Sequence, residues 1–465
     1  GTGTTKASGR MDRRFATGAT LQVNGLLQAV RIDRQREEVV GSFTDMLALP
    51  FNDILENEDR DRYTAELSTD YNFPVGDGKN VTVLGGFNWE KEIRDRTVRD
   101  NLLEDSPIVF EQDRTDLRLE AIGRSVFDWA LSSKSSVQIG FEGAFNSQRT
   151  EFELLRLEDG VLTPAPIFNS NGTVEEYRGE LFTSTTRTMW DVLTVEAGLA
   201  VEKSQITQTG TDVDSSRSLT FIKPSLTTFL DITGNTKVIF SAGRDVDQLD
   251  FSEFVSSISE RDEELEAGNP DLLPERSWDV DLGVEYRLAG GAGVLNLNSF
   301  YRYVEDASGR REFESLVSQP SNIGNGYEYG IEAEASLQLS QIGLWSGVFT
   351  SRYLRRETSV DDPLTGLARP FDSTPDWEIE IEYNHDVNFP LKNGALEFKY
   401  TQEAQTFVHD VNYIEAYNDG PQLRVGYAGQ INDSVNFNFS VTNVLNSKPE
   451  RDRQLFTLSP DLQQS

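Results

Sequence analysis

The acidic residues of 277–288, Ser-Trp-Asp-Val-Asp-Leu-Gly-Val-Glu-Tyr-Arg-Leu, are the first groups in this chain that could do chemistry together. Asp279, Asp281 and Glu285 alternate with Trp278, Val280, Leu282, Val284 and Tyr286, so a strand would present them on one face. Glu332 and Glu334 form a second such row, and Glu378, Glu380 and Glu382 a third. Two readings stand side by side. The carboxylates are a hydrated wall paired with arginine, or they make a negative field that favours cationic solutes and repels strong anions.

Acid–base, nucleophilic and metal chemistry find no support. The sequence has no Gly-x-Ser-x-Gly and no His-Glu-x-x-His, and Gly78-Lys79-Asn80 lacks the glycine spacing and hydroxyl of a phosphate-binding loop. It has no cysteine, which removes thiolate nucleophiles, thiolate metal sites and disulfides. His385 and His409, the only histidines, each sit apart near a strand end. The acidic runs 57–62 (Asn-Glu-Asp-Arg-Asp-Arg) and 212–214 (Asp-Val-Asp) lack calcium-loop spacing and read as solvated loops. No catalytic residue, metal ligand or cofactor is expected, and the protein is not expected to be an enzyme.

The elements that must carry the carboxylate rows are strands. Period-two segments recur along the chain, among them 63–73, 81–89, 117–129, 137–145, 193–201, 327–339, 377–383, 396–400 and 435–441. They amount to about sixteen to eighteen antiparallel strands. Their connections alternate: short near 75–80, 131–136, 190–192, 232–236, 288–294, 339–343, 388–394 and 430–434, and long and charged near 90–115, 147–177, 202–218, 244–276, 305–325, 355–375 and 403–420. Short turns at one end and long loops at the other are the pattern of a transmembrane β-barrel. Tryptophan follows the same polarity, with Trp129, Trp190 and Trp345 beside short turns and Trp89, Trp278 and Trp377 at the long-loop ends, as interfacial belts require.

Composition agrees. Over 465 residues only 37% are apolar while 10% are aromatic, mean hydropathy is −0.47, and no run approaches the roughly 18–20 apolar residues of a membrane helix. A net charge of −34 argues against a nucleic-acid partner, which needs a basic face. The fold class expected is all-β, a transmembrane antiparallel barrel whose apolar faces meet lipid. Within the 244–276 connection, Asp250 and Glu253 have capping-box spacing, Phe251, Phe254, Val255 and Ile258 share a helical face, and Gly268 is placed to end the turn. A short amphipathic helix packed over the barrel mouth is predicted there.

After it comes Gly-Asn-Pro-Asp-Leu-Leu-Pro-Glu, in which Asn269, Pro270, Leu272, Pro274 and Glu275 resemble the Asn-Pro-x-Leu-x-Pro-Glu signature of TonB-dependent outer-membrane receptors. Residues 322–339, with Gly330, Glu332 and Glu334, are similar to the family's next strand, and 437–451 to its Asn-Val-x-Asn element. The resemblance covers about residues 60–450 and implies structural roles for the matched residues. It also implies active import of a scarce nutrient (a ferric siderophore, cobalamin, haem or an oligosaccharide) through a plugged barrel of about 22 strands in the outer membrane of a Gram-negative bacterium. The partners implied are outer-membrane lipid and lipopolysaccharide, the small-molecule or oligosaccharide cargo, and TonB through an N-terminal part not in this chain. A monomer is expected. Residues 94–100, 309–312 and 353–357, rich in arginine, are candidates for lipopolysaccharide phosphates. Residues 1–465 read as barrel domain, incomplete at both ends and without the plug, with one strand near 13–33. A passive porin and a soluble β-rich binding module are the alternatives.

Overall fold

The computed structural model describes residues 1–44, 47–100, 108–158, 160–258, 265–313, 317–344, 346–387 and 391–455. These form 27 strands and three short 3-10 turns, and 18 of the strands are long, the upper end of the expected number. Packing divides them into two units, residues 1–184, 199–222 and 249–272 in the first and residues 185–198, 223–248 and 273–465 in the second.

In the first unit Thr2–Arg14, Thr20–Thr44, Leu47–Gly76, Lys79–Asp100, Ile108–Ser132 and Ser135–Glu158 pair antiparallel in succession. In the second the same meander runs from Thr236–Val246 through Arg276–Arg287, Gly293–Glu305, Gly326–Gln338, Val348–Asp361, Trp377–Val387, Lys392–Glu403 and Gln422–Asn432 to Val435–Val441.

Each long strand has one apolar and one polar face, and their burial is reversed from that of a soluble sheet. On the apolar faces Leu27, Phe141 and Leu181 are 63%, 55% and 61% exposed, whereas Glu56, Glu92 and Asp116 on the polar faces are 5–7% exposed. In Arg276–Arg287, Trp278, Val280, Leu282, Val284 and Tyr286 are exposed and the alternating carboxylates are half-buried. Apolar side chains left outside in this way suit a lipid-facing surface.

The short turns fall where the sequence places them. Gly78, for example, has φ of +65° in the Asp77–Gly78 turn. Several other expectations are corrected. The stretch 13–33 is not one strand but a hairpin, turned at Phe15–Ala19, where Phe15 N–H donates to the Ala19 carbonyl at 2.8 Å. Trp89 does not end a strand; it pairs with Ala65 and Leu119 in mid-ladder. Much of the connections near 90–115, 147–177 and 202–218 continues the ladders, and 57–62 is strand, not loop.

The helix predicted after Asp250 is a single 3-10 turn, Phe251–Phe254, capped by the Asp250 carboxylate accepting from Ser252 N–H at 2.8 Å. Phe251, Phe254, Val255 and Ile258 are all buried as expected. The chain leaves the turn extended because Ser257–Ile258 pairs with Leu265–Glu266, a conformation that suits β-branched Val255 and Ile258. Gly268 does not end a helix; a Cβ there would meet the Phe254 carbonyl oxygen at 2.5 Å. Trp345, residues 259–264 and residues 388–390 of the turn expected near 388–394 lie outside the described residues.

Gly330 faces Phe300 across one ladder and Arg356 across the other. A Cβ would stand 2.3 Å from the Arg355 carbonyl oxygen and 2.7 Å from Phe300 Cζ. Gly330→Ala is expected to cost about 1–3 kcal/mol through overpacking. Gly123→Ala, with nothing within 4 Å, is the control. Urea midpoints of the refolded protein check this; equal midpoints for the two variants would reject the packing role.

Candidate functional site

The polar face of the second unit holds the carboxylates singled out from the sequence, and cross-strand register brings cations to them. Asp279 lies opposite Arg302 and accepts from its Nε at 2.6 Å. Asp281 accepts from Ser241 Oγ and Asn298 Nδ2 at 3.3 and 3.5 Å, and Glu285 from Arg287 Nε at 2.7 Å. Glu332 and Glu378 share Arg352, and Glu378 and Glu328 share Arg356, giving one ionic chain across three strands. Glu380 is bound by Lys399 at 2.7 Å, Glu334 by Asn296 at 3.2 Å and Glu382 by Asn384 at 2.5 Å. The wall is therefore a hydrogen-bonded lattice in which Asp279, Glu285, Glu328, Glu332, Glu378 and Glu380 are paired with cations.

The first unit carries a denser lattice on its polar face, at the level the sequence reading assigned to loops. Arg96 binds Glu56 at 2.8 Å, and Arg62 binds Glu92 at 2.7 Å. Arg94 stands 3.5 Å from Glu58 and 3.2 Å from Glu92. Arg118 binds Glu90 at 2.9 Å, and Arg114 and Thr150 hold Asp116 at 2.7 and 2.6 Å. Burial varies within it: the side chains of Glu56, Glu58, Glu92 and Arg96 are 3–8% exposed, those of Arg34, Arg62 and Arg118 51%, 40% and 43%. Residues 94–100 thus place Arg94 and Arg96 inside this lattice, and Arg356 of 353–357 inside the second unit's, away from the lipopolysaccharide-facing loops expected of them.

Above the lattice the same strands turn apolar. Val98, Phe110, Phe152 and Leu154 cluster with Ile258 from the inserted 249–258 segment, and Arg96 stacks on the Phe110 ring at 5.3 Å. The segment is anchored by a buried amide knot. Asn169 Nδ2 and Gln208 Nε2 both donate to the Phe254 carbonyl, at 2.5 and 3.1 Å, and Gln208 also donates to Asn169 Oδ1 at 3.1 Å. Asp212 of the 212–214 run accepts from Asn169 N–H at 3.0 Å, a structural task rather than calcium binding. A cleft of about 890 Å³ adjoins these elements, lined by Asp95, Asp113, Arg149 and Glu151 on one side and Asn171 and Thr211 on the other.

The signature residues extend the anchoring. Asn269 N–H donates to the Glu253 carbonyl at 2.8 Å, and its Oδ1 accepts from Asp271 N–H at 2.9 Å, closing the turn that Pro270 begins. Leu272 is buried against Val174, Ile206, Phe251 and Phe254, and its carbonyl accepts from Arg217, which lies over the Phe254 ring. In the second unit Pro274 is buried, and Glu275 Oε2 accepts from Ser308 N–H at 3.0 Å. Burial pushes the Glu275 carboxyl above its ordinary pKa, opposed by that hydrogen bond. Gly330 and Glu332 lie along Gly326–Gln338, one beneath Phe300 and the other on Arg352. His409 is not isolated: its Nδ1 lies 2.7 Å from Asp372 and 3.3 Å from Arg369. His385 Nδ1 meets the Tyr383 hydroxyl at 2.8 Å. Among the described residues no group of three or more His, Asp or Glu is arranged to hold a metal.

A family model described as TonB dependent receptor-like, beta-barrel matches residues 5–444. Among solved structures the chain is similar to the copper transporter OprC, at 12% identity over 97% of this chain and 79% of that one, TM-score 0.58. It is similar to the pyoverdine outer membrane receptor FpvA from Pseudomonas aeruginosa, at 12% identity over 96% and 70%, TM-score 0.62. BauA, the ferric preacinetobactin receptor from Acinetobacter baumannii, aligns at 11% identity over 96% and 75%, TM-score 0.60. At such identities the likeness concerns the fold. No curated protein matches the chain.

Two outcomes test this anchoring. Gln208→Leu removes two buried hydrogen bonds and is expected to loosen the inserted segment by about 1–3 kcal/mol, seen as faster proteolysis near residues 251–258; unchanged cleavage would reject the knot. Because the folded pKa of Glu275 is raised, its corner is steadiest below the ordinary carboxyl pKa and weakens as pH climbs through the raised value. Glu275→Gln should flatten the pH dependence of hydrogen exchange at the Ser308 amide, and a slope preserved in that variant would assign it to another group.

Proposed function

Since the chain belongs to the TonB dependent receptor-like β-barrel family, we propose that it is the barrel wall of an outer-membrane active transporter that imports a scarce nutrient with energy passed through TonB. The cargo class is that of the family resemblance: a ferric siderophore, cobalamin, haem or an oligosaccharide. One observation carries the reading, the reversal of polarity described above, with exposed Leu27, Phe141 and Leu181 against buried Glu56, Glu92 and Asp116. Such a sheet suits an apolar solvent outside and a hydrated, charge-lined passage inside. Outer-membrane lipid and lipopolysaccharide are then the partners of the apolar faces.

The paired wall has a mechanical consequence. Carboxylates already bound by Arg302, Arg352, Arg356 and Lys399 do not trap a passing cation as bare ones would. The wall stays wet and rigid while something inside it moves. TonB would act on whatever occupies the passage.

The test uses the full-length receptor in a deletion strain. Uptake of ferric siderophores, cobalamin, haem and oligosaccharides is measured with and without TonB. Restored uptake of one of them that collapses without TonB is the expected result. Uptake that persists without TonB would make the protein a passive channel. A receptor that remains monodisperse without detergent would remove it from the membrane altogether.

A further inference from the structure

The Asn-Val-x-Asn element, residues 443–446, closes a turn beyond Val435–Val441. Asn443 and Asn446 take the left-handed conformation, at φ of +52° and +53°, which asparagine tolerates better than most side chains. The Asn443 amide donates to the Ser447 carbonyl and accepts from the Ser447 N–H, both at 2.8 Å. Val444 N–H donates to the Leu423 carbonyl at 2.8 Å, and Ser447 Oγ to the Pro421 carbonyl. The turn is therefore fixed at the start of Gln422–Asn432 by its own bonds. From it a strap, Glu450–Leu455, runs out to pair along its whole length with Tyr413–Asn418, one arm of a hairpin whose other arm is Thr406–His409.

The strap is held by charge and backbone pairing, with no apolar burial of its own. Five of its six residues are exposed, among them Leu455, its one apolar side chain, at 65%. Its anchor is Glu415 on the hairpin, which is completely buried. Arg453 reaches that carboxylate at 3.3 Å, Arg451 also pairs with it, and the Tyr417 hydroxyl donates to it. The Arg453 and Arg451 guanidinium groups lie over the Tyr413 and Tyr417 rings at 4.1 and 5.8 Å. These two cations come from the strap and the acid from the hairpin. Departure of the strap would return all three charges to water and expose no apolar side chain of its own. On its other side the hairpin is tied to residues 369–373. Asp372 accepts from the buried Arg369 Nη1 at 2.9 Å and lies 2.7 Å from His409 Nδ1, and Ser373 N–H donates to the Phe407 carbonyl at 2.8 Å.

Resting on the transport reading above, we propose that Glu450–Leu455 is a releasable latch on the 406–418 hairpin, with Glu415 as its bolt, and that it opens during import. The 443–447 turn is the fixed point, and the strap swings from Lys448 onward without disturbing the long strands. Latched, the hairpin is pinned between residues 369–373 and the strap. Released, it is held on one side only and is free to move as cargo passes.

The experiment uses the full-length receptor carrying A416C/D452C. This chain has no cysteine of its own, and Ala416 and Asp452 stand directly opposite in the ladder, on the face turned away from Glu415 and Arg453. Uptake is measured in the deletion strain, with the oxidised and the reduced receptor, for whichever ferric siderophore, cobalamin, haem or oligosaccharide probe the wild type imports. Oxidation should lower TonB-dependent uptake at least about tenfold and reductant should restore it. The single-cysteine variants, oxidised in the same way, should import normally. Hydrogen exchange of the purified receptor gives a readout independent of transport. E415Q should speed exchange across 413–418 and 450–455 at least about tenfold and leave 369–373 unchanged. Native migration on unheated gels checks that E415Q folds, and R451Q and R453Q, each expected to give a smaller rise, stand in if it does not. Equal uptake by the oxidised and reduced lock overturns opening during import. Exchange unchanged by the substitutions, or a lock that fails to form on oxidation, overturns the latch. A wild-type receptor that imports none of the probes overturns the transport reading and the opening step with it, and the E415Q exchange then decides the latch alone.

Discussion

Everything in this fold follows from one constraint: strand backbone in hydrocarbon must find every hydrogen bond on a neighbouring strand, because no water is there to supply one. An antiparallel meander satisfies it, and its pleat then sends alternate side chains to opposite faces. The apolar face is free to meet lipid, so Phe141 and Leu181 remain exposed without cost. The polar face cannot build a hydrophobic core and must hold itself together in another way. That is why the buried residues of the long strands include Glu56, Glu92, Gln112, Asp116 and Gln148.

Charge pairing does that work, and burial sorts the pairs. Glu56 and Arg96 are 7% and 3% exposed; removing one member of such a buried pair strands the other and costs about 3–5 kcal/mol. Arg34, half exposed and 3.5 Å from Glu58, belongs with surface pairs worth about 0–1 kcal/mol. The same lattice therefore has members that hold the sheet and members whose loss the fold barely registers. Apolar packing returns only where the chain folds over itself, at Phe110, Phe152, Leu154 and Ile258. There the inserted segment is held by the Asn169 and Gln208 amides, because it has no ladder of its own long enough to hold it.

What the sequence makes legible divides along the same line. Where strands cross the bilayer one face must be apolar, so Trp278 to Tyr286 or Val81 to Trp89 reveal the strand by period alone. Where the same strands continue into water both faces are polar, and the signal vanishes although the ladder does not. Residues 57–62 and 90–100 consequently read as loop and are strand. Phe251, Phe254, Val255 and Ile258 were legible as buried but not as extended, since spacings of three, four and seven also arise in a 3-10 turn running into a short strand. Gly330 could be picked out, but its reason, Phe300 on the neighbouring strand, lay in the register. The ion pairs of the first unit had no sequence signal at all. Arg118 and Glu90 are 28 residues apart, and nothing local says they meet.

The register also arranges the charges in two layers. On the apolar side, beyond the exposed aromatics, Asp33, Asp59, Asp95, Asp113 and Glu153 stand opposite one another across five strands. On the polar side Arg60, Arg94 and Arg114 form a matching row across three of them. Like charges directly opposed destabilise a ladder, and neither row would be tolerable alone. Four of the five acids, however, are chain neighbours of an arginine: Asp33 of Arg34, Asp59 of Arg60, Asp95 of Arg94, Asp113 of Arg114. The two rows face each other through the thickness of the sheet and offset their separate repulsions. Compensation is incomplete at the acid layer, where burial, then Asp113 and Asp61, push the Asp95 carboxyl above its ordinary pKa.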